Sequence, residues 1–191
     1  MDKESHFRYG FAMAETAVVV LLPELEPLIG EWRRRYTRDG SRGMPPHVTL
    51  MVPFADSSGL DSRRDALGRV VGEFRQFEVT LSGTARFAGL LYLRPEPEKP
   101  FVALTEALVE AFPAFLPYGG EFDEIVPHAT VAEGDEELLA GPRAGSHRAA
   151  AGEGASRARL GRGERTVWLA PAHSLSAGSA QSGLTTSHPP A

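Results

Sequence analysis

The chain has 191 residues, of which 42% are hydrophobic, and its formal net charge at neutral pH is -5. This length supports one sizeable core and predicts a single main domain. The negative charge argues against a broadly basic nucleic-acid surface, and the absence of cysteine excludes disulfides, thiolate catalysis and Cys-ligated zinc.

The chain shows no sequence signal for a membrane or for export. Its longest apolar run, residues 17–22, is far shorter than the roughly 20 residues that cross a bilayer. Residues 1–10 carry both acids and bases and lack the basic-then-apolar order of a secretory signal. We therefore expect a cytoplasmic protein without membrane contact.

The residue pattern in the first half of the chain predicts two strands and two helices. Residues 17–23, which are rich in valine and bounded by proline, predict a central strand. Apolar residues recur at helical spacing from Leu25 to Tyr36, so a helix is expected before Gly40. The run Arg33 to Arg35 could bind phosphate, but beside Trp32 and Tyr36 a solvated face is the favoured interpretation. Two prolines then precede a strand over 47–54. A second helix is predicted from a cap at Asp61 to about Gln76.

The second half repeats this pattern. Residues 77–81 alternate as a half-buried strand does, and 89–93 predict its continuation or its antiparallel partner after a turn near Ala88. A loop over 95–100, a helix over 101–112, a loop over 117–123 and a strand over 126–132 follow. The alternation predicts an α+β or mixed α/β domain, and the helix before a Pro-His strand in each half suggests two related lobes.

The composition changes near Ala140, so we divide the chain into a domain over 1–140 and a low-complexity tail over 141–191. The tail holds six arginines against two glutamates and few aliphatic residues. Such a segment cannot bury enough apolar surface to offset its ordering entropy, so most of it is expected to be irregular, with residues 166–170 as the one predicted strand. Two explanations of this composition remain open: the end of a GC-rich gene read in a shifted frame, or a natural tail. Truncation after Ala140 is expected to change the melting temperature little.

One short motif occurs twice. Pro46-His47-Val48-Thr49-Leu50 is followed, 81 positions after its histidine, by Pro127-His128-Ala129-Thr130-Val131. Because side chains alternate along a strand, the histidine and the threonine of each motif point to the same side. Each motif therefore offers an imidazole and a hydroxyl to one space.

Two such strands around a cleft predict a phosphate site. Imidazole has an unperturbed pKa of about 6.5, so one of His47 and His128 can act as base while the other acts as acid. Thr49 and Thr130 would donate hydrogen bonds to non-bridging oxygens. A single His-x-Thr is weak evidence because a lone strand histidine is more often a packed or surface residue, but the repeated pattern favours function. Chance motifs in a structural protein would leave the two histidines far apart.

Other candidate residues carry less weight. Tyr118, in the loop before the second motif, would either border the substrate and stack on a base or anchor the loop by packing, and both readings stay open. Asp123 and Glu124 lack ligand spacing with His128, so no metal site is expected.

The two motifs and the runs between them resemble one known family. The runs are RFAGLLYLRPEP, PFVALTEAL and FPAFLPYGGEF. They resemble the two-histidine (2H) phosphoesterase superfamily, in its bacterial 2'-5' RNA ligase-like branch, from about residue 15 to about residue 135.

The resemblance implies a bilobal α+β fold, with two pseudo-symmetric lobes whose antiparallel sheets surround a central cleft. It further implies a monomer without metal or cofactor that acts on RNA ends or cyclic nucleotides, as a 2',3'-cyclic phosphodiesterase or a 2'-5' RNA ligase. The family's catalytic histidines map onto His47 and His128, and its phosphate-binding threonines onto Thr49 and Thr130. A non-catalytic module of the same fold that holds RNA ends or nucleotides is the alternative. The tail departs from the family, which closes its second lobe with a helix and strands.

Overall fold

The computed structural model describes residues 16–55, 59–75, 77–87, 89–122, 124–140, 156–160 and 167–171. The strands and helices in this part of the chain are β1 (Thr16–Leu21), α1 (Glu26–Tyr36), β2 (His47–Met51), α2 (Leu60–Glu73), β3 (Phe77–Phe87), β4 (Leu90–Glu96), α3 (Lys99–Ala111), β5 (Ala129–Glu133), α4 (Glu136–Ala140), β6 (Ser156–Leu160) and β7 (Val167–Pro171). The sheet has the order β6-β3-β4-β5-β2-β1-β7, and every neighbouring pair is antiparallel. The predicted α+β class is confirmed.

The two halves of the sheet meet at the two motif strands. Strands β7, β1 and β2 form one half, and β5, β4, β3 and β6 form the other. The register between β2 and β5 consists of one residue pair, Val48 opposite Ala129. The resemblance implied two sheets around a cleft, and here the two halves are continuous through this pair.

Helices cover the sheet through the apolar residues that their spacing predicts. In α1, Ile29 and Trp32 are buried, and the helix packs against β5. In α3, Phe101 and Leu108 are fully buried, and this helix packs against β2 and α2. No helix in the described part of the chain is long and apolar enough to cross a membrane.

Three sequence expectations are corrected by the structure. Arg33 does not lie on a solvated face, because its exposed fraction is 1%. Asp61 does not cap α2; Gly59 holds the N-cap position, and Asp61 lies in the first turn, 3.3 Å from Arg64. The loop expected over 95–100 is much shorter, since β4 continues through Glu96 and α3 begins at Lys99.

The tail contributes two strands to the edges of the sheet. The prediction for residues 166–170 is close to the observed β7, which pairs with β1. Strand β6 pairs with β3 inside the segment that was expected to be irregular, so that expectation is wrong for residues 156–160. Edge pairing uses backbone hydrogen bonds and does not require the apolar alternation whose absence guided the prediction. Residues 141–155, 161–166 and 172–191 lie outside the described residues.

Candidate functional site

The two motifs lie side by side at the centre of the sheet. β2 begins at His47, and β5 begins directly after His128. In an antiparallel pair, residues opposite each other point to the same face. With Val48 opposite Ala129, His47 therefore faces Thr130 across the strands, and Thr49 lies opposite His128. The structure thus brings the four predicted residues to one face, and their roles stay predictions.

Both histidine rings are oriented by the same local hydrogen bond. Nδ1 of His47 is 2.8 Å from the carbonyl oxygen of Pro45, and Nδ1 of His128 is 2.8 Å from that of Val126. A carbonyl oxygen only accepts, so we assign the hydrogen of each neutral ring to Nδ1. Nε2 of each neutral ring then carries the lone pair that can accept a hydrogen bond.

The two imidazoles differ in their surroundings. His47 is buried, and burial, followed by the charge of Arg33, lowers its pKa to about 4 against the opposing effects of the Pro45 carbonyl and Asp39. His128 is half-buried, and burial lowers its pKa against the effect of its hydrogen bond to Val126. Both rings are therefore mainly neutral at pH 7 when no anion is bound.

A carboxylate lies close to Nε2 of His47. Oδ2 of Asp39 is 4.0 Å from Nε2 of His47, and the Asp39 side chain is 49% exposed. The carbonyl of Asp39 accepts hydrogen bonds from the amides of Arg42 and Met44, at 3.0 Å each, which fixes the turn after α1. Sequence reasoning missed Asp39 because it belongs to neither motif.

Arg33, whose run predicts a solvated face or a phosphate contact, is instead buried beside the second motif. Its Nη1 donates a hydrogen bond to the backbone oxygen of Thr130, so the α1 side chain reaches the second motif. The signal was present in the sequence, since Arg33 follows Ile29 by four positions and precedes Tyr36 by three. It therefore belongs to the apolar stripe of the helix rather than to the opposite face.

Two aromatic rings pack against His128. The ring centroids of Phe87 and Tyr92 lie 5.5 and 5.3 Å from that of His128, and the two aromatic rings stack on each other at 4.5 Å. They come from β3 and β4, and Tyr92 lies opposite Thr130 in the register. These rings restrict the orientation of the imidazole, a contact that the sequence alone does not reveal.

Tyr118 lies in the loop before the second motif, in a 3-10 turn spanning Pro117–Gly120. It has a positive φ of 53°, and its amide donates to the carbonyl of Val52 at 2.6 Å. Its ring lies 5.6 Å from that of Phe122. The loop is thereby tied to the end of β2, and the role of Tyr118 at a substrate stays a prediction. Over the described ranges, no group of three or more histidines and acids is arranged to hold a metal ion.

Comparison with known proteins identifies the family. The family model for the 2'-5' RNA ligase superfamily matches residues 21–150, which is more than half of the chain and extends past the boundary expected at residue 140. No curated protein sequence matches the chain.

Solved structures with similar folds include LigT of E. coli complexed with 3'-AMP, at a TM-score of 0.43 and 18% identity over 65% of this chain and 76% of that one. A structure described as a phosphoesterase has a TM-score of 0.42 and 18% identity over 63% of this chain and 72% of its own. Similarity at this level adds no argument about the site. The match to the family model carries the assignment: the chain belongs to the 2'-5' RNA ligase superfamily of two-histidine phosphoesterases, whose general chemistry is phosphoester transfer or hydrolysis.

Proposed function

We propose that this protein transfers or hydrolyses a phosphodiester at a ribose 2'-oxygen without a metal, using His47 and His128 as general acid and base. The substrate class is an RNA end or a cyclic nucleotide. The observation that carries the proposal is the register of β2 and β5, because Val48 opposite Ala129 puts both imidazoles and both motif threonines on one face.

The proposed reaction requires one histidine to accept a proton and the other to donate one. In the opening of a 2',3'-cyclic phosphate, Nε2 of one histidine accepts a proton from water while the water oxygen bonds to phosphorus. The bond from phosphorus to one ribose oxygen breaks, and that oxygen receives a proton from Nε2 of the other histidine. The same groups act when a ribose hydroxyl replaces water, which gives ligation.

The motif threonines would stabilise the charge that develops at phosphorus. Thr49 and Thr130 are half-buried, and the strand register puts them on the same face as the two rings, so their hydroxyls can donate to the non-bridging oxygens. A bound phosphate anion also favours the protonated form of a neighbouring imidazole. Substrate binding would therefore supply the acid that the free protein lacks at neutral pH.

The alternative is a module that holds RNA ends or nucleotides without turnover. The lowered pKa values of both histidines favour this binding module, because two imidazoles that are neutral at pH 7 provide no general acid. Binding of a phosphorylated ligand without any product over long incubation would support this alternative.

The test is a panel of 2',3'-cyclic nucleotides and 2'-5' dinucleotides assayed with EDTA present. We expect turnover that EDTA does not reduce, and a loss of about 10²-fold or more in His47→Ala and in His128→Ala. His47→Asn and His128→Asn are more selective than the alanine variants. The asparagine amide can donate to the same carbonyl as Nδ1, but it places no acid or base at the position of Nε2. Near wild-type rates in all four variants would refute the mechanism.

A further inference from the structure

A fixed negative charge lies where the substrate phosphate is proposed to bind. Oδ2 of Asp39 is 4.0 Å from Nε2 of His47, and the Asp39 side chain is 49% exposed. We propose that Asp39 is a specificity-determining residue, through which the site selects singly charged phosphodiesters over doubly charged phosphomonoesters. This inference rests on the proposed function, to which it adds the charge of the phosphate that the site accepts.

Asp39 acts on the site through its charge and does not orient the imidazole. The 4.0 Å between Oδ2 and Nε2 exceeds the length of a hydrogen bond, which is about 3.2 Å at most. The ring is already oriented through Nδ1, which is 2.8 Å from the carbonyl oxygen of Pro45. The backbone of Asp39 is held in the turn after α1, because its carbonyl accepts from the amides of Arg42 and Met44 at 3.0 Å each. The carboxylate is therefore a charge held at a defined place.

The distance between this carboxylate and a bound phosphate has an upper limit. A phosphate oxygen that shares a hydrogen bond with Nε2 of His47 lies about 2.8 Å from that atom. Since Oδ2 of Asp39 is 4.0 Å from the same atom, the phosphate oxygen lies within about 7 Å of Oδ2 from any direction of approach. At that separation each unit of negative charge on the ligand weakens binding by roughly threefold or more at low ionic strength.

The proposed substrate and its product differ by one charge. A 2',3'-cyclic phosphate and a 2'-5' linkage are diesters with one negative charge, whereas opening of the cyclic phosphate leaves a monoester whose second pKa is about 6. The buried Arg33, whose Nη1 bonds to the backbone oxygen of Thr130, attracts both ligands and the dianion more strongly. Repulsion by Asp39 offsets that preference. It therefore weakens the binding of the product relative to that of the substrate.

Asp39→Asn removes the charge and keeps the size of the side chain. The variant should fold, because the side chain is half-exposed and the turn is held by the Asp39 carbonyl rather than by its carboxylate. Glu31→Gln is the matched control, since it makes the same change of net charge at an exposed position of α1. Glu31 precedes the buried Arg33 by two positions, so about 200° of helical turn places it on the opposite side of α1.

The decisive measurement compares two ligands that differ only in charge. They are a 3'-deoxynucleoside 2'-monophosphate, which is doubly charged at pH 8, and the methyl ester of the same phosphate, which is singly charged. Neither carries a 3'-hydroxyl, so no cyclic phosphate can form. Isothermal titration calorimetry at pH 8 and low ionic strength gives both dissociation constants. We expect Asp39→Asn to tighten binding of the monophosphate by at least about threefold more than that of the methyl ester, and Glu31→Gln to leave the ratio unchanged.

The sign of the change separates this proposal from an effect through the imidazole. Asp39 also favours protonation of His47, and a protonated ring binds a dianion more tightly. If that were its only effect, Asp39→Asn would weaken binding of the monophosphate relative to the methyl ester. Such a weakening, an unchanged ratio, or the same change of ratio in Glu31→Gln would overturn the proposal.

Product inhibition separates this inference from the proposed function. On an active cyclic nucleotide, the inhibition constant of the monoester product should fall by at least about threefold in Asp39→Asn and stay unchanged in Glu31→Gln. If the wild type turns over nothing, the proposed function fails while the two dissociation constants still decide the role of Asp39. If turnover needs both histidines but the ratio does not change in Asp39→Asn, only the Asp39 inference fails. If neither ligand binds to the wild type, both are wrong.

Discussion

At the scale of single residues, the motif threonines give the most direct test of a phosphate site. Thr49→Val and Thr130→Val keep the β-branched shape and replace only the hydroxyl with a methyl group. Loss of one preorganised donor to a developing oxyanion lowers kcat by about 10²-fold or more, and we expect that loss in each variant. Steady-state kinetics on an active cyclic nucleotide measure it. The matched control is Thr80→Val, a half-buried threonine of β3; if the motif variants behave like the control, the phosphate-binding role is wrong.

The lowered pKa of His47 also predicts how stability depends on pH. Its folded-state pKa of about 4 lies below the unfolded value of about 6.5, so the unfolded chain binds the proton first as the pH falls. The contribution of His47 to stability is therefore complete above about pH 6.5 and is lost toward pH 4, a change on the order of 3 kcal/mol. Glu133, whose pKa burial raises, acts with the opposite sign: its contribution is lost as the pH rises through its folded pKa.

The comparison of wild type with His47→Gln isolates this effect, because Glu133 is common to both proteins. Between pH 7.5 and pH 4.5 we expect the melting temperature of the wild type to fall further than that of His47→Gln. Differential scanning calorimetry measures both curves. Parallel curves over the whole range would mean that the imidazole is not desolvated in the folded protein.

At the scale of secondary structure, the two strands of the tail protect the sheet. β7 pairs with β1 over residues 167–171, and β6 pairs with β3 over residues 156–160. Without them, β1 and β3 become edges with unpaired backbone groups, and exposed edges promote association between chains. We therefore expect truncation after Ala140 to lower the melting temperature and to increase aggregation, contrary to the expectation from composition.

A stepwise truncation that removes first β7 and then β6 tests whether these strands stabilise the sheet. Ending the chain after residue 165 removes β7 alone, and ending it after residue 155 removes β6 as well. Each step should lower the melting temperature, and light scattering should report association in the shorter chain. Equal melting temperatures for the full chain and both truncations would show that the strands contribute nothing to stability.

Structural features that depend on neighbouring residues can be predicted from the sequence, whereas features that depend on tertiary contacts cannot. The apolar spacing in α1 and the Pro-His pattern before β2 are local, and both elements appear where they were expected. The partner of a strand is a tertiary property, so neither the register of Val48 with Ala129 nor the pairing of β6 with β3 follows from composition. The positive charge of Arg33 predicts a solvated side chain, whereas its spacing from Ile29 places it on the buried face of α1, where the structure has it.

At the scale of the whole molecule, the two halves of the sheet meet where the proposed substrate binds. An anion held by both motifs would contact β2 in one half and β5 in the other, and so would bridge the join at Val48 and Ala129. A ligand that binds only the folded state stabilises it by RT ln(1 + [L]/Kd), so the melting temperature rises with the logarithm of the ligand concentration once that concentration exceeds the Kd. We therefore expect a nucleoside 2'-monophosphate to stabilise the protein.

This stabilisation should increase as the pH falls, which gives a last prediction. Both histidines have a lowered pKa in the free protein, and an anion between them favours a protonated ring, so binding takes up a proton. Because the nucleotide phosphate itself titrates with a pKa of about 6, sulfate serves as the control anion whose charge is constant. For both anions we expect a larger rise in melting temperature at pH 6 than at pH 8, and calorimetry in buffers of different ionisation enthalpy should report proton uptake. In the double variant His47→Asn, His128→Asn, the pH dependence with sulfate should disappear; if it persists, the protons are bound elsewhere and the two histidines do not form the anion site.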